Sequence, residues 1–224
     1  MPEDEFHEDY EFLSRKQRLT YDEILKIAHV AAGLGVSKMR LTGGEPLLDK
    51  NLPDLVAGLA AIPGVNDLAL TTNGMLLAPV AQQLADAGLH RVTVSLDSLD
   101  AEIFRHMSGG RGDLERVLEG IEAARQAGLT PVKINVVVQR GINDHTVLDL
   151  LDHFRGTDHI VRLIEFMDVG NRNGWRLDQV VPSRHLLEQV QRHWPLRRID
   201  QNYPGEVAHR YEYVDGAGEI GFIS

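Results

Sequence analysis

Cysteine is absent from the 224 residues. Without a thiol the chain's own residues supply no disulfide, no thiolate nucleophile and no Cys ligand for zinc or an iron–sulfur cluster. Long hydrophobic runs are missing too: nowhere do about 18 apolar residues follow one another, the length a membrane-spanning helix requires. Positive charge is scarce. Lys and Arg number 23 against 33 Asp and Glu, a formal net charge of −10. The mean field therefore repels phosphate, which argues against a nucleic-acid or anionic-lipid coat while leaving room for a local basic pocket. The 10 histidines include no His-Glu-x-x-His pair and no set at zinc-ligand spacing, so no metal ligand is expected. Met1-Pro2-Glu3-Asp4-Glu5 is acidic with no apolar stretch behind it, unlike a secretory leader. A cytoplasmic location is the expectation.

What is present is a repeated alternation of helix-period and β-rich segments. Thr20, with Glu23 three residues on, has capping-box spacing and predicts a helix over 21–34, with Ile24, Ile27, Ala28 and Ala31 on one face. A strand over 38–41 follows, then a helix over 52–59, a strand over 68–70 and a helix near 79–87. Strands over 91–95, 132–138 and 159–166 alternate with helices over 114–127 and 147–154. Strands joined through helices, without hairpin turns, form right-handed βαβ units and a parallel sheet. The fold class is α/β. After Gly170 the pattern changes to one more helix over 181–194, opened by Pro182-Ser183. A hairpin then joins 211–213 to 220–223 around Asp215-Gly216-Ala217-Gly218.

Alternate residues of such strands face opposite ways. Val132, Ile134, Val136 and Val138 form one apolar set, leaving Lys133 and Asn135 on the other face. Likewise Val92, Val94 and Leu96 oppose Thr93, Ser95 and Asp97, and Arg40 shares a parity with Thr42. Arg162 has the opposite parity from Glu165 and Met167. Buried cations and amides need polar company, and α/β folds bind ligands at the carboxyl ends of their strands. Cations gathered there in an acidic chain point to an anionic small molecule such as a nucleoside triphosphate. The competing reading pairs Arg40 and Lys133 with Asp97 and Glu165 in salt bridges. A Schiff-base lysine at Lys133 is a third possibility from residue type alone.

Singly the turns say little. Gly43-Gly44 lets backbone approach a ligand, but helix-entry turns use glycine anyway. Asn73-Gly74 is an ordinary turn dipeptide, and Gly109-Gly110-Arg111-Gly112 has the wrong spacing for a phosphate loop. Trp175 reads as a core anchor. Together the turns are far more specific. Arg40-Leu41-Thr42-Gly43-Gly44-Glu45-Pro46-Leu47, Thr71-Thr72-Asn73-Gly74, Val94-Ser95-Leu96-Asp97, Val132-Lys133-Ile134-Asn135 and Ile164-Glu165-Phe166-Met167-Asp168-Val169-Gly170 stand in this order at successive strand ends. Asn173-Gly174-Trp175 and Gly205-Glu206-Val207-Ala208 complete the set. This order resembles the GTP 3′,8-cyclases of molybdenum-cofactor biosynthesis, within the radical S-adenosylmethionine superfamily, along essentially the whole chain.

The resemblance implies a partial (β/α) barrel of the TIM type, with residues 1–170 as its core and 171–224 as the start of a C-terminal region. It implies S-adenosylmethionine and two [4Fe-4S] clusters as cofactors. The chemistry would be radical conversion of GTP to 3′,8-cyclo-7,8-dihydro-GTP, which a cyclic pyranopterin monophosphate synthase consumes. Carried over residue by residue, Arg40, Thr71 and Lys133 resemble GTP contacts, with Lys38 and Arg162 as further phosphate partners. Gly44, Ser95 and Met167 resemble S-adenosylmethionine contacts. No catalytic side chain is assigned. Neither nucleic acid nor membrane is implied as a partner, a homodimer is compatible, and the electron donor is not identified. The departure is at the cysteines. The family's first set lies just before a Met-Pro pair, where this chain begins, and its second follows the segment matching Gly221-Phe222-Ile223-Ser224. The expectation is a middle portion of the enzyme, lacking the opening barrel strand, poorly soluble and inactive alone. The alternative is a cluster-less nucleotide-binding protein on the same scaffold.

Overall fold

Thr20 opens the first helix as its spacing predicts: its backbone N–H donates to Glu23 at 2.8 Å, and its hydroxyl accepts from the Glu23 N–H at 3.3 Å. The computed structural model of the chain describes residues 17–168, 175–203 and 205–224. In chain order the first elements are α1 (Tyr21–Gly33), β1 (Lys38–Leu41), α2 (Leu52–Ala60), β2 (Asp67–Thr72), α3 (Ala81–Asp86) and β3 (Arg91–Ser95). Then come α4 (Ala101–Met107), α5 (Leu114–Gln126), β4 (Lys133–Val138), α6 (Val147–Phe154) and β5 (Ile160–Glu165). The last are α7 (Ser183–Gln191), β6 (Leu196–Arg198), β7 (His209–Tyr213) and β8 (Glu219–Ile223). Among the described residues no helix is long and apolar enough to cross a membrane. The chain divides into two units, one built from 8–93 and 115–130, the other from 94–114 and 131–224. The division falls inside β3.

In the unit that opens with α1, β1 and β2 run parallel, with Lys38 opposite Asp67 and Leu41 opposite Leu70. Leu68 and Leu70 of β2 are fully buried, as are Leu52, Leu55, Val56 and Leu59 along α2. Burying that many branched side chains is the main stabilising contribution here, at roughly 1.5–3 kcal/mol each. The apolar face predicted for α1 is corrected: Ala28 is buried, but Ile27 is 57% exposed. The reason lies in α2, where Gly58 has no side chain and Leu25 fills the space a Cβ would take. That close approach, not the Ile27 stripe, sets which side of α1 turns inward.

The second unit carries the end of β3 and then β4, β5, β8, β7 and β6 in that order. β4 pairs parallel with β5 from Lys133–Ile160 to Val138–Glu165. Val132, Ile134, Val136 and Val138 are fully buried, so the predicted parity holds. The predicted hairpin forms between β7 and β8, but it is no separate appendage: β8 lies parallel to β5, with Val161 opposite Ile220. Two elements were not legible. β6 is three residues long and reads Leu-Arg-Arg, too short to show a period. α4 is a seven-residue helix capped by Asp100, whose carboxylate accepts the Glu102 and Ile103 N–H groups.

One helix glycine positions a turn at the end of β2. A Cβ on Gly120 of α5 would stand 2.6 Å from the Gly74 carbonyl oxygen and 3.1 Å from the Leu77 Cβ. Backbone on one side leaves nothing flexible to give way. Gly120→Ala is expected to destabilise the chain by about 1–3 kcal/mol and to raise amide exchange through 71–74. Chemical denaturation with exchange readout checks this; an unchanged midpoint would show that α5 has room to shift.

Candidate functional site

Arg40 stands one residue before the end of β1, on the parity opposite half-buried Met39 and Leu41. Its guanidinium donates to the Thr71 hydroxyl on β2 at 2.8 Å and to the Thr93 hydroxyl on β3 at 3.3 Å. One cation thus links three strands that neighbour one another in the sheet. Thr93 is only 2% exposed, while Arg40 itself is exposed. Both bonds go to neutral hydroxyls, so the positive charge is oriented without being neutralised, a state suited to an anion. Thr93 is a functional candidate that motif reading missed; its place in the polar set of 91–97 was the available signal.

The turn after β1 is organised by Glu45. Its carboxylate accepts the Leu47 N–H at 3.0 Å, the Thr72 hydroxyl at 2.7 Å and the Asn73 N–H at 2.8 Å. Gly44 precedes it and is exposed. Gly43 has φ +156° with no atom within 4 Å of a Cβ position, so that stretch of backbone is open. Lys38 opens β1 and lies 3.7 Å from Asp67, which Arg91 grips through two bonds of 2.7 and 2.5 Å. Burial pushes the Asp67 carboxyl up, but the Arg91 bonds outweigh it and hold the pKa below the ordinary carboxylate value. Lys38 therefore belongs to an ion-pair cluster at the opposite end of β1 from Leu41.

In the other unit, Ser95 is exposed at the end of β3. Beyond it the chain stays beside β4 through one backbone bond and the side chains of Asp97 and Asn143. The Leu96 N–H donates to the Asn135 carbonyl at 2.9 Å, and the Asp97 carboxylate accepts the Val137 N–H at 2.8 Å. Asn143, fully buried, donates to the Asp97 carbonyl at 2.7 Å and the Val137 carbonyl at 2.9 Å, and accepts from the Gln139 N–H at 2.8 Å. Asn135 keeps a buried side-chain oxygen with no hydrogen-bond partner among the described residues. An orphaned buried acceptor is costly in a finished structure and signals a place for a donor.

Lys133 is half-buried and begins β4. Parity assigned its face correctly, but its height is corrected: it lies at the amino end of the strand, because pairing with Ile160 sets where β4 starts. Met167 follows β5 and is 48% exposed. The indole N–H of Trp175 donates to the Phe166 carbonyl at 3.0 Å, but the residue is half-buried and not the core anchor expected. Arg162 is half-buried within β5. Of the groups named in the competing salt-bridge reading, Arg40 bonds hydroxyls, Asp97 accepts a backbone N–H and Glu165 accepts the Ser183 N–H. The motif residues 169–174 lie outside the described residues. Arg40 and Thr71 are thus joined directly and Gly44 lies in the turn that follows β1, while Ser95 ends β3, Lys133 begins β4 and Met167 follows β5 in the other unit.

Burial pushes the Asp97 carboxyl up to about 6, against the lowering effect of the Val137 N–H bond. A carboxyl whose folded pKa exceeds its unfolded value of 3.8 binds its proton more tightly when folded. Its contribution to stability is therefore full at low pH and declines as pH rises from about 4 to about 6. Asp97→Asn keeps an oxygen for Val137 and removes the titration. Across that interval the stability difference between wild type and variant is expected to change by about 1–3 kcal/mol. Denaturant midpoints at the two pH values measure it, and parallel profiles would contradict it.

Comparison with known proteins completes the picture. Residues 5–154 match the radical SAM superfamily, and 159–224 match the Molybdenum Cofactor Synthesis C family. All 224 residues align at 55% identity with the GTP 3′,8-cyclase of Xanthomonas axonopodis pv. citri (strain 306), covering 67% of that protein. The GTP 3′,8-cyclases of Acidothermus cellulolyticus (strain ATCC 43068 / DSM 8971 / 11B) and Staphylococcus aureus (strain Mu3 / ATCC 700698) match at 50% and 42%, with 62% and 66% of their lengths covered. The chain thus spans about two thirds of the length of these relatives. Among solved structures, Streptococcus suis SuiB bound to S-adenosylmethionine has a TM-score of 0.66 at 16% identity, over 82% of this chain and 42% of that one. Methylornithine synthase (PylB) has a TM-score of 0.63 at 18% identity, over 78% of this chain and 52% of that one. With its mostly parallel α/β sheet, its ordered strand-end turns and this identity along its whole length, the chain belongs to the GTP 3′,8-cyclase family of the radical SAM superfamily.

Proposed function

We propose that the chain is the GTP- and S-adenosylmethionine-binding core of a GTP 3′,8-cyclase. Residues 1–170 would form its barrel part and 171–224 the start of its C-terminal region. The observation that carries this reading is the Arg40–Thr71–Thr93 constellation, a charged guanidinium held across three strand ends by neutral hydroxyls. It is set beside a glycine turn that Glu45 fastens. Arg40 would meet the polyphosphate, with Thr71 orienting the guanidinium and offering its hydroxyl to the same ligand. By their resemblance to the family's positions, Lys133 and Arg162 would be further phosphate contacts. Lys38, tied to Asp67, contributes less to phosphate. Gly44 would admit the amino-acid end of S-adenosylmethionine through its lack of a side chain, with Ser95 and Met167 giving a hydroxyl and an apolar contact. The orphaned Asn135 oxygen is a further acceptor for a ligand hydroxyl.

S-adenosylmethionine, once bound in this family, is the source of the radical that abstracts hydrogen from the nucleotide. This chain's residues bind and orient; they do not complete the electron-transfer apparatus. It has no cysteine, and among the described residues no group of three or more His, Asp or Glu could hold a metal ion. The donor set does not fit a [4Fe-4S] cluster, and the chain by itself is proposed to be inactive. The missing thiolates favour a second reading, a cluster-less nucleotide-binding protein on the same scaffold. In-frame cysteine codons in the DNA preceding Met1 favour the first, a stop codon the second. A cytoplasmic setting and a pterin-forming enzyme acting on the product fit the first reading.

Equilibrium dialysis with GTP tests the site. Arg40→Ala and Lys133→Ala are each expected to weaken GTP binding by roughly tenfold or more, the effect of losing a charge-assisted hydrogen bond. Thr71→Val should weaken it less. No saturable GTP binding by the folded wild-type chain would overturn the reading. Anaerobic incubation with iron and sulfide, followed by desalting, is expected to leave iron at background; stoichiometric retained iron would contradict the proposed inactivity.

A further inference from the structure

The Glu45 carboxylate joins two turns that follow different strands. One oxygen accepts the Leu47 N–H of its own turn and the hydroxyl of Thr72, the last residue of β2; the other accepts the Asn73 N–H of the turn that follows. The Thr72 hydroxyl also accepts the Gly74 N–H at 3.0 Å, so its own hydrogen is committed to Glu45. The Asn73 side-chain oxygen accepts the Met75 N–H at 3.0 Å, closing the second turn on itself. Thr72 is 3% exposed, and a charge-assisted bond sheltered from water keeps its strength. Gly44 and Thr71, one proposed for each ligand, each adjoin a residue of this bridge.

Three protein donors occupy most of what the carboxylate can accept, which suits it to hold protein groups in place rather than to meet a ligand. We infer that Glu45 is a positioning residue that couples the two turns, so that GTP at Arg40 and Thr71 and S-adenosylmethionine at the Gly43-Gly44 turn each strengthen the binding of the other. This rests on the ligand assignments proposed above. The physical basis is the ordering cost of binding: whichever ligand arrives first immobilises its own turn and, through Glu45, the other. The coupling is reciprocal by thermodynamic necessity.

The experiment measures GTP affinity with and without S-adenosylmethionine, and the reverse, for the wild-type chain, Glu45→Gln and Glu45→Ala, with amide exchange at Leu47 and Asn73. In the wild type each ligand is expected to tighten the other by about fivefold or more. Glu45→Ala should remove that coupling, weaken GTP by roughly tenfold and speed exchange at both amides. Glu45→Gln, which keeps one oxygen acceptor, should recover part of each effect. A merely structural role would lower the melting temperature and weaken both ligands while leaving the coupling ratio unchanged. Undiminished coupling in folded Glu45→Ala overturns the inference, as does a wild type that binds both ligands independently. Failure of the wild type to bind either ligand counts against the functional reading instead. The exchange data then decide the bridge: faster Asn73 exchange in Glu45→Ala supports it, and unchanged exchange overturns it.

Discussion

Where a parallel strand ends, its last backbone N–H groups lose their ladder partners and must find others. In this chain short polar side chains take those places. Glu45 receives N–H groups from two turns, and Asp97 receives the Val137 N–H where the chain leaves β3. Asn143 satisfies two carbonyls and one N–H in the same region. His90 takes a similar part at the start of β2: its Nδ1 accepts the Leu68 N–H at 3.0 Å while its own N–H returns to the Leu68 carbonyl at 2.9 Å. The strand-end turns are therefore tied together by the same bonds that satisfy the sheet.

The charge arrangement has the same logic. A chain with ten more acidic than basic groups repels a polyphosphate on average, so any attraction must be local and must not be spent on internal ion pairs. Asp67 takes up Arg91 and Lys38 at the amino ends of β1 and β3. Arg40, toward the carboxyl end of β1, is held by threonine hydroxyls instead. Neutral partners cost a cation little of its field, whereas a carboxylate would cancel it. The distinction between Lys38 and Arg40, two residues apart on one strand, is thus made by what stands opposite each.

Much of the fold was open to reading. The Thr20 and Glu23 spacing, the alternation in 132–138 and the strand at 38–41 reflect local rules, and each agrees with the structure closely. β6 and α4 escaped because three and seven residues hold too little period to register. The pairing of β8 with β5 joins segments some sixty positions apart, and no local pattern encodes such a partner. Of the candidate site residues, Arg40 and Thr71 were picked out from motif order, and the structure bonds them to each other. Glu45 was quoted inside its motif without a role, because its partners lie in another turn.

Composition and order of residues alone determined that this chain carries no thiolate, that its strands connect through helices, and that its strand-end turns follow the order of one enzyme family. These are properties of residue identity and short-range period, which need no folded partner to be evaluated. Which oxygen receives which N–H, which cation keeps its charge available, and at what height along β4 Lys133 stands were decided only by the tertiary structure. Those depend on strand register and on side chains meeting across turns, and register is set jointly by two segments that neither can specify alone.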